Sequence, residues 1–403
     1  MSIEELFKKP EDHRLEFKRE LTDPAFLAKE LVAFSNTRGG KIVIGLDDKT
    51  REIVGVDVTQ DIEEYVMNVA SNNCHPIISP LVEFYTVRGK TICLIEIFPG
   101  KLKPYFVTKK GPEKGVYIRI GSTNRVADAS WINELSRQSR NITYDRLEVV
   151  EATIDDFDSE KINFYQRRKN EKLGIPIEEI APEYLEKIGF LKRFNGRKTP
   201  TIGGLLLMGK NPQQITSLPR AVVKCARFKG KEKGIFIDQT VIEGSLCEQI
   251  DNTVRFIAKN IRLGGVIKGL LRHDIYEYPM EVFREAITNA VVHRDYFLAD
   301  SKAIYIAIFD DRIEITSPGL LPIGVEIENL GKQQKTRNPL IARILFEMDY
   351  FDEWGQGINK MRHLMKDAKL PEPVFEEISD EFKVTLFGPG EDFLRERKIG
   401  EKR

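Results

Sequence analysis

The sequence predicts a mixed α+β fold that is spread over more than one domain. Its 403 residues exceed the size at which a single hydrophobic core usually stops growing, so we expect two or three domains. Helical patterns and paired strand patterns occupy separate stretches of the chain, which is typical of α+β domains. Hydrophobic residues form 41% of the chain and charged residues 31%, which indicates a soluble, globular protein.

Charge and cysteine content exclude several classes of protein. Lysine plus arginine and aspartate plus glutamate each number 62, so a uniformly basic coat is excluded, whereas local basic patches are not. The longest apolar run, residues 202–209, is far shorter than the roughly 20 residues that span a bilayer, and the first five residues lack a signal-peptide pattern. Four scattered cysteines without a Cys-x-x-Cys pair support neither a disulfide framework nor a zinc ribbon, so we expect a cytoplasmic protein.

Local signals define the elements of the first region, residues 1–140. Asp23 can cap a helix whose first position is Pro24, and apolar residues then recur at helical spacing as far as Phe34. The pair at 39–40 ends that helix because glycine reaches left-handed backbone angles cheaply. Further elements are expected as a helix at about 60–72 and strands at 41–46, 51–56, 82–87, 91–98 and 116–120, with a hairpin turn at 88–90.

The rest of the chain divides into a less regular second region, residues 141–275, and a third region, residues 276–390. In the second, we expect a short helical unit at 177–189, a glycine-rich apolar stretch at 201–209, strands at 221–228 and 236–242, and a helix at 246–261. In the third, we expect helices at 279–296, at 338–347 and from the glycines at 355–357 to residue 368, and strands at 303–308, 312–316 and 382–387. Residues 391–403 are expected to form a charged, frayed tail.

Three carboxylates of the first region predict a metal site. Glu11 and Glu16 lie five residues apart, and Asp47 follows a strand, where side chains commonly reach a rim. Carboxylate oxygens suit Mg²⁺ or Mn²⁺, and such an ion could clamp a phosphodiester and activate water. The same residues also fit a solvated segment followed by an Asp-Asp turn that is closed by local hydrogen bonds, so both interpretations stay open.

Residues 88–125 carry a local excess of positive charge, with nine Lys or Arg residues against two Glu. Basic groups neutralise phosphates, and the interleaved rings of Tyr105, Phe106 and Tyr117 could stack on unpaired bases. The alternative is a charged, solvated hairpin whose aromatic residues belong to the core. The candidate nucleic-acid contacts are Lys18, Arg88, Lys90, Lys101, Lys103, Lys109, Lys110, Lys114 and Arg119.

Four stretches of this region resemble the Schlafen AlbA-type (AlbA_2) domain. They are Leu-Glu-Phe-Lys at 15–18, Ala-Phe-Ser-Asn-Thr-Arg-Gly-Gly at 33–40, Lys-Ile-Val-Ile-Gly-Leu-Asp-Asp at 41–48 and Ile-Val-Gly at 53–55. The resemblance covers about 120 residues and implies a mixed α/β fold that contacts DNA or RNA. Some Schlafen proteins cut RNA, including tRNA, with two glutamates and a later aspartate, roles that would here fall on Glu11, Glu16 and Asp47.

The predicted helix of the third region carries a second candidate site. Glu285, Asn289 and His293 are four residues apart, so they share one face of that helix. An acid and an amide one turn apart could orient water and hold Mg²⁺ beside a triphosphate. The same spacing also fits the polar face of an amphipathic helix.

The third region resembles the degenerate GHKL-type ATPase module known as the RecG-like C-terminal domain of AlbA-containing proteins. Residues 284–296, 315–322, 337–339 and 354–358 carry the resemblance, which implies a C-terminal α/β sandwich preceded by a connecting α/β region. In active GHKL enzymes the helix glutamate is the general base and the asparagine binds Mg²⁺, roles that would fall on Glu285 and Asn289. The nucleotide-binding set would be Glu285, Asn289, His293, Gly319, Gly355 and Gly357, with ATP as the ligand.

One departure from the GHKL pattern affects the nucleotide. The adenine-reading Asp-x-Gly-x-Gly of active members is replaced by Thr-Ser-Pro-Gly at 316–319, and a site that loses such a hydrogen bond loses discrimination. The resemblance therefore favours nucleotide binding over hydrolysis. The chain contains no Gly-x-x-x-x-Gly-Lys-Ser/Thr, so a P-loop helicase motor is not supported.

Three functions stay open on this basis. The first is a DNA- or RNA-binding regulatory or defence protein, similar to a transcriptional regulator, whose C-terminal domain senses a nucleotide or pairs subunits into a homodimer. The second is a metal-dependent endoribonuclease that acts on structured RNA such as tRNA. The third is a nucleotide-dependent interaction protein.

Overall fold

A computed structural model describes residues 3–21, 23–47, 50–57, 62–268, 271–299, 301–322, 325–332, 335–350 and 356–389, apart from the side chains of residues 4 and 265–275. The chain divides into two units, Met1–Ile142 and Thr143–Arg403, which we call the N-terminal and the C-terminal unit. Each unit combines helices with sheets, so the predicted mixed α+β class is confirmed. In the described part of the chain, no helix combines the length and the apolar character needed to cross a membrane.

The N-terminal unit is built on a small mixed sheet. Its elements are α1 (Ile3–Leu6), β1 (Leu15–Lys18), α2 (Pro24–Asn36), β2 (Gly40–Ile44), α3 (Ile62–Asn72), β3 (Cys74–His75), β4 (Leu81–Val87), β5 (Lys90–Ile97), β6 (Phe106–Val107), α4 (Gly111–Lys114), β7 (Tyr117–Ile120), β8 (Thr123–Val126) and α5 (Ala129–Ser139). Strands β1, β2, β5 and β4 form a sheet in that order, with β1 parallel to β2 and the other pairs antiparallel. Leu31 on α2 and Ile42 on β2 share one fully buried core.

Two local predictions for this unit are confirmed in detail. Helix α2 begins at Pro24, and the Asp23 carboxylate accepts a hydrogen bond from the Ala25 amide, as an N-cap residue should. Arg88 and Gly89 join β4 to β5 with φ of 51° and 77°, the left-handed geometry that a two-residue hairpin requires. The predicted strand at 51–56 was wrong, because only Ile53 forms a bridge there, to Leu46.

The C-terminal unit contains a larger sheet with helices packed against it. Its elements are α6 (Ser159–Leu173), α7 (Pro182–Lys187), β9 (Leu191–Phe194), β10 (Arg197–Pro200), α8 (Ile202–Met208), α9 (Pro212–Ile215), β11 (Val223–Phe228), β12 (Phe236–Ile242), α10 (Leu246–Asn260), β13 (Leu263–Lys268), β14 (Leu271–Tyr276), α11 (Met280–His293), β15 (Ile304–Ile308), β16 (Arg312–Pro318), α12 (Pro339–Glu347), α13 (Gly357–Asp367), β17 (Val374–Ile378) and β18 (Glu381–Phe387). Six strands form one sheet in the order β12-β11-β15-β16-β18-β17.

This sheet joins residues from both of the regions predicted beyond residue 140. Strand β11 pairs in parallel with β15, so the region predicted as a connector supplies two strands to the sheet of the C-terminal domain. Helix α11 packs against α10, α13 and strand β16, with apolar residues such as Val282, Phe283 and Ile287 buried. Residues 391–403, the predicted charged tail, lie outside the described residues.

Candidate functional site

A buried ion cluster ties the N-terminal unit together. The Arg119 side chain on β7 is 1% exposed, and its guanidinium lies 2.6 Å from Glu16 Oε2 and 3.1 Å from Glu30 Oε2. Asn124 on β8 donates a hydrogen bond to the other oxygen of Glu30. One guanidinium therefore bridges two carboxylates, Lys18 supplies the second positive charge beside Glu16, and the cluster joins β1, α2 and the β7–β8 hairpin.

Burial and the neighbouring charges together shift the pKa values of Glu30 and Lys18 in this cluster. Burial raises the pKa of the Glu30 carboxyl, although the Asn124 hydrogen bond opposes that shift. Burial would lower the pKa of the Lys18 ammonium, but the hydrogen bond to Glu16 and the charges of Glu16, Glu11 and Glu30 outweigh it and leave the pKa raised. Lys18 is therefore held as a cation at the edge of the cluster, 2.7 Å from Glu16 Oε1.

The three carboxylates predicted to bind metal have separate partners in the structure. Glu11 Oε1 accepts a hydrogen bond from the Phe17 amide at 2.9 Å, and Glu16 is engaged by Arg119 and Lys18. Asp47 Oδ1 accepts a 2.9 Å hydrogen bond from the Thr50 amide and closes a local turn; its neighbour at position 48 lies outside the described residues. Within the described ranges no three His, Cys, Asp or Glu side chains are arranged to hold a metal ion, and the metal site stays a prediction.

Two lysines converge on the buried ring of Tyr117. Lys110 Nζ donates to the Tyr117 hydroxyl and lies 5.1 Å from the ring centroid, and Lys29 Nζ lies 5.6 Å from the same centroid. Lys109 and Lys114 are exposed on the adjoining 3₁₀ turn and on α4. We call Lys29, Lys109, Lys110, Lys114 and Tyr117 the tyrosine patch.

The other predicted phosphate contacts lie elsewhere. Lys103 is 6% exposed, donates to the Thr37 carbonyl at 3.2 Å, and has its pKa lowered by burial to about 8. Together with Arg119 it lies in the interior, a placement that does not support a surface role. Arg88 and Lys90 are exposed at one end of β5, whereas Lys101 follows its other end. An eight-residue strand spans roughly 25 Å, so Arg88 and Lys90 are separated from Lys101 by about the length of β5.

The aromatic residues of the basic region belong mainly to the core. Tyr105 and Tyr117 are 7% and 5% exposed, and the half-buried Phe106 packs on His75 with ring centroids 5.1 Å apart. Rings in these positions have little free face on which a base could stack. Their placement favours the alternative interpretation from the sequence, in which these rings stabilise the fold.

The C-terminal unit contains a cavity of about 500 Å³ between α11, β16, α12 and α13. Glu285, Asn289 and His293 line it together, as their helical spacing predicts. Asn289 Nδ2 donates to Glu285 Oε1 at 3.1 Å. A Cβ at Gly357 would lie 1.9 Å from Glu285 Oε1, so a larger residue there would displace this carboxylate.

Two further glycines belong to the predicted nucleotide set. Gly319 lines the cavity with a φ of +98°, and a Cβ added to it would lie 2.7 Å from the Asp295 Cβ, so no larger residue fits. Gly355 lies outside the described residues. The structure therefore brings five of the six predicted nucleotide-binding residues to one cavity; the nucleotide itself stays a prediction.

The end of the cavity near β16 is apolar. Ser317 lines it, but its hydroxyl donates to the Ala290 carbonyl at 2.8 Å. The side chains of Ile315, Val325 and Phe382 surround this end. Such a surface can bury a flat ring by the hydrophobic effect, whereas it offers few groups that would distinguish one ring from another.

The titration of His293 predicts an acid-sensitive C-terminal unit. Burial, and then the charge of Arg337, lowers the pKa of His293 to about 4, from about 6.5 in an unfolded chain. Between these values the unfolded state binds more protons, so the free energy of unfolding should fall by up to about 1.4 kcal/mol per pH unit as the pH falls from 6.5 to 4. In urea denaturation across this range, the free energy of unfolding of His293→Leu should change less with pH than that of wild type. His363→Leu, which changes an exposed histidine, is the control and should follow wild type. An equal pH dependence for wild type and His293→Leu would contradict the assignment.

The fold and these sites define a class: a protein that joins an AlbA-type α/β unit to a HATPase-like unit. Residues 11–128 match the family model described as "Schlafen, AlbA_2". Residues 301–386 match "Putative ATP-dependent DNA helicase recG C-terminal", and residues 133–224 match "Domain of unknown function (DUF8451)". The resemblances identified from the sequence are therefore confirmed for both ends of the chain, and both place it among proteins related to nucleic acids.

Solved structures that are similar to this chain include the following two. The DIP2311 protein from Corynebacterium diphtheriae is 23% identical, with 93% of this chain and 75% of that chain covered and a TM-score of 0.49. The N-terminal domain of a RecG-related protein from Nitrosomonas europaea is 22% identical, with 31% and 92% covered and a TM-score of 0.25. No curated protein matches the chain.

Proposed function

We propose that this protein binds DNA or RNA through the tyrosine patch and a nucleotide through the C-terminal cavity. The observation that carries the first part is the convergence of Lys29 and Lys110 on Tyr117, with Lys109 and Lys114 exposed beside them. Ammonium groups held close together bind phosphates because they displace condensed counterions. Since the nearby rings are buried, the phosphate backbone supplies most of the affinity and sequence preference is weak.

A pair of double variants tests the position of the interface. Lys29→Gln with Lys110→Gln should weaken binding to a fluorescent 20-nucleotide strand by about tenfold at moderate salt, because two phosphate contacts are lost. Arg88→Gln with Lys90→Gln removes the same charge from the β4–β5 hairpin and should change the affinity by less than about twofold. Equal losses for the two pairs would show that net charge, and not the tyrosine patch, determines binding. Thermal unfolding of each variant shows whether its fold is kept.

The second part of the proposal is supported by the cavity that gathers Glu285, Asn289 and Gly357. A ligand that binds only the folded state stabilises it by about 2.7 kcal/mol at a hundredfold excess over Kd, so ATP with Mg²⁺ should raise the unfolding temperature. Asn289→Ala should remove most of that increase, whereas Asn252→Ala on α10, outside the cavity, should keep it. An equal increase in both variants would argue against this site.

The location, the biological role and the oligomeric state of the protein are part of the same proposal. The four cysteines are buried and free, which fits a reducing, cytoplasmic location. A regulatory or defence role, and a homodimer formed through the HATPase-like unit, are proposed by resemblance to AlbA-containing and GHKL proteins. The same resemblance leaves a nucleotide-dependent interaction as the alternative if the tyrosine patch binds no nucleic acid.

A metal-dependent endoribonuclease is the second candidate, because Glu11 and Glu16 both act on Lys18 and therefore lie near one spot. Glu16→Gln is a poor test, since it disturbs the buried ion cluster. Glu11→Gln and Asp47→Asn change less buried carboxylates and should abolish Mn²⁺-dependent cleavage of structured RNA while the fold is kept. Cleavage by either variant at the wild-type rate would dismiss the assignment.

A further inference from the structure

We infer that Arg146 binds the anionic end of a nucleoside polyphosphate in the C-terminal cavity, so that this site selects its ligand by phosphates and not by the base. This inference rests on the nucleotide part of the proposed function. Arg146 lies far from the glutamate and asparagine of α11 in the sequence and outside residues 301–386. It nevertheless lines the same cavity as Glu285 and Asn289.

The charges that line this cavity single out Arg146. Arg343 also lines it, but its guanidinium is engaged by Glu347 Oε1 at 2.9 Å and by the Ile188 carbonyl. Within the described part of the chain, the exposed Arg146 side chain forms no hydrogen bond or salt bridge. Lys335 adds a further cation at the cavity, while Glu285 adds a negative charge that a phosphate ligand must avoid. Arg146 is therefore the guanidinium whose donors are available to a ligand.

The position of Arg146 is fixed by its neighbour. Asp145 is fully buried, and its Oδ2 accepts hydrogen bonds from the Leu340 and Ile341 amides at 2.7 and 3.1 Å, at the start of α12. Thr143 donates to the other carboxylate oxygen at 2.6 Å. This carboxylate anchors the 3₁₀ turn Tyr144–Arg146 to the helix that forms one wall of the cavity. The backbone of Arg146 is thus fixed at the cavity before any ligand binds, so only its side chain has to be ordered on binding.

The apolar lining beside β16 explains why the base would contribute little selectivity. Ser317 uses its hydroxyl on the Ala290 carbonyl, and the surrounding side chains are apolar. Adenine and guanine bury similar ring surfaces, so an apolar end gains similar free energy from each. A planar guanidinium with several donors, in contrast, binds phosphate oxygens in two parallel hydrogen bonds. Selectivity should therefore follow the number of phosphates.

Calorimetric titration of the full chain with Mg²⁺ and ATP, GTP or AMP tests this inference. Wild type should bind ATP and GTP with affinities within about threefold of each other and AMP at least about tenfold more weakly, because AMP lacks the terminal phosphates that the Arg146 guanidinium would bind. Arg146→Gln should weaken ATP and GTP by about tenfold and leave AMP unchanged. Arg197→Gln, on β10 and outside the cavity, is the matched control and should bind as wild type does.

The outcomes distinguish a failure of the Arg146 inference from a failure of the proposed nucleotide binding. If wild type binds none of the three nucleotides, the nucleotide part of the proposed function fails and the inference fails with it. If wild type binds ATP and Arg146→Gln binds it equally well, the inference alone is overturned. A preference for ATP over GTP greater than about tenfold would also overturn it, since a group that reads the base would then be required.

Discussion

Arg119→Ala should destabilise the N-terminal unit by about 3–5 kcal/mol, because it leaves Glu16 and Glu30 buried as carboxylates without their shared cation. The guanidinium also donates to the carbonyls of Asp12 and Leu15 at 3.0 and 3.2 Å, and these acceptors lose their partner as well. A typical domain is stable by only 5–15 kcal/mol, so a loss of this size should be visible as partial unfolding near 37 °C.

Hydrogen exchange measured by mass spectrometry locates this effect within the chain. In Arg119→Ala, amides of β1 and α2 should exchange faster, whereas amides of the C-terminal unit should keep their protection. Arg125→Ala, an exposed arginine on β8, removes the same charge from the same hairpin and should leave protection within about 0.5 kcal/mol of wild type. Equal protection in Arg119→Ala and Arg125→Ala would contradict the role given to the buried cluster.

Arg294→Ala is expected to destabilise the C-terminal unit by a similar amount, about 3–5 kcal/mol. Arg294 is 1% exposed, and its guanidinium donates to the carbonyls of Arg220, Val222 and Lys302. Burial lowers its pKa to about 10, so it remains a cation at neutral pH. Without it, three carbonyl groups at the junction of α11, β11 and β15 lose donors in a site that water cannot fill easily.

Urea denaturation measures the loss of stability in Arg294→Ala. Arg284→Ala is the matched control, because Arg284 is exposed on α11, the helix that ends just before Arg294, and contacts the Asp349 carbonyl at the surface. We expect Arg284→Ala to cost less than about 1 kcal/mol. If both variants unfolded at the same urea concentration as wild type, Arg294 would not be the structural centre that its contacts indicate.

The residues next to Arg294 belong to the motifs that carry the RecG-like resemblance, and they also have structural contacts. Asp295 pairs with Arg337, and Tyr296 is fully buried with its hydroxyl on the Val291 carbonyl. Asn338 donates to the carbonyls of Val292 and Arg294. These side chains hold the chain where it leaves α11, so this part of the motif keeps the wall of the cavity in place, whereas Glu285 and Asn289 face the cavity itself.

Elements with strong local signals could be predicted from the sequence. Helix α2 has an N-cap aspartate followed by proline, and the β4–β5 hairpin has a glycine at its turn, so both depend on residues that are adjacent in the chain. The apolar stretch at 201–209 contains the helix α8, whose residues are all buried. A run without polar residues shows no helical period, so the sequence did not identify this helix. The predicted unit at 177–189 is a helix only at α7, and α6 was missed because it is mainly polar.

The sites could be predicted only in part, for a related reason. Glu285 and Asn289 share a helix, so their spacing was sufficient. Lys29, Glu30 and Arg146 were missed because they reach their sites through tertiary packing that no local pattern records. The burial of Lys103 and Arg119 was equally hidden, since a basic residue looks the same in a sequence whether it faces solvent or a buried carboxylate.

The salt dependence of nucleic-acid binding tests the central claim most directly. For wild type, the logarithm of the association constant should fall linearly with the logarithm of salt concentration, by about 0.7–0.9 per phosphate contacted. Replacing Lys29, Lys109, Lys110 and Lys114 by glutamine should reduce that slope by about 0.7–0.9 for each lost contact, while the Arg88 and Lys90 pair should leave it unchanged. A wild-type affinity that does not change with salt, or a slope that the four substitutions leave unaltered, would contradict the tyrosine patch as the nucleic-acid interface.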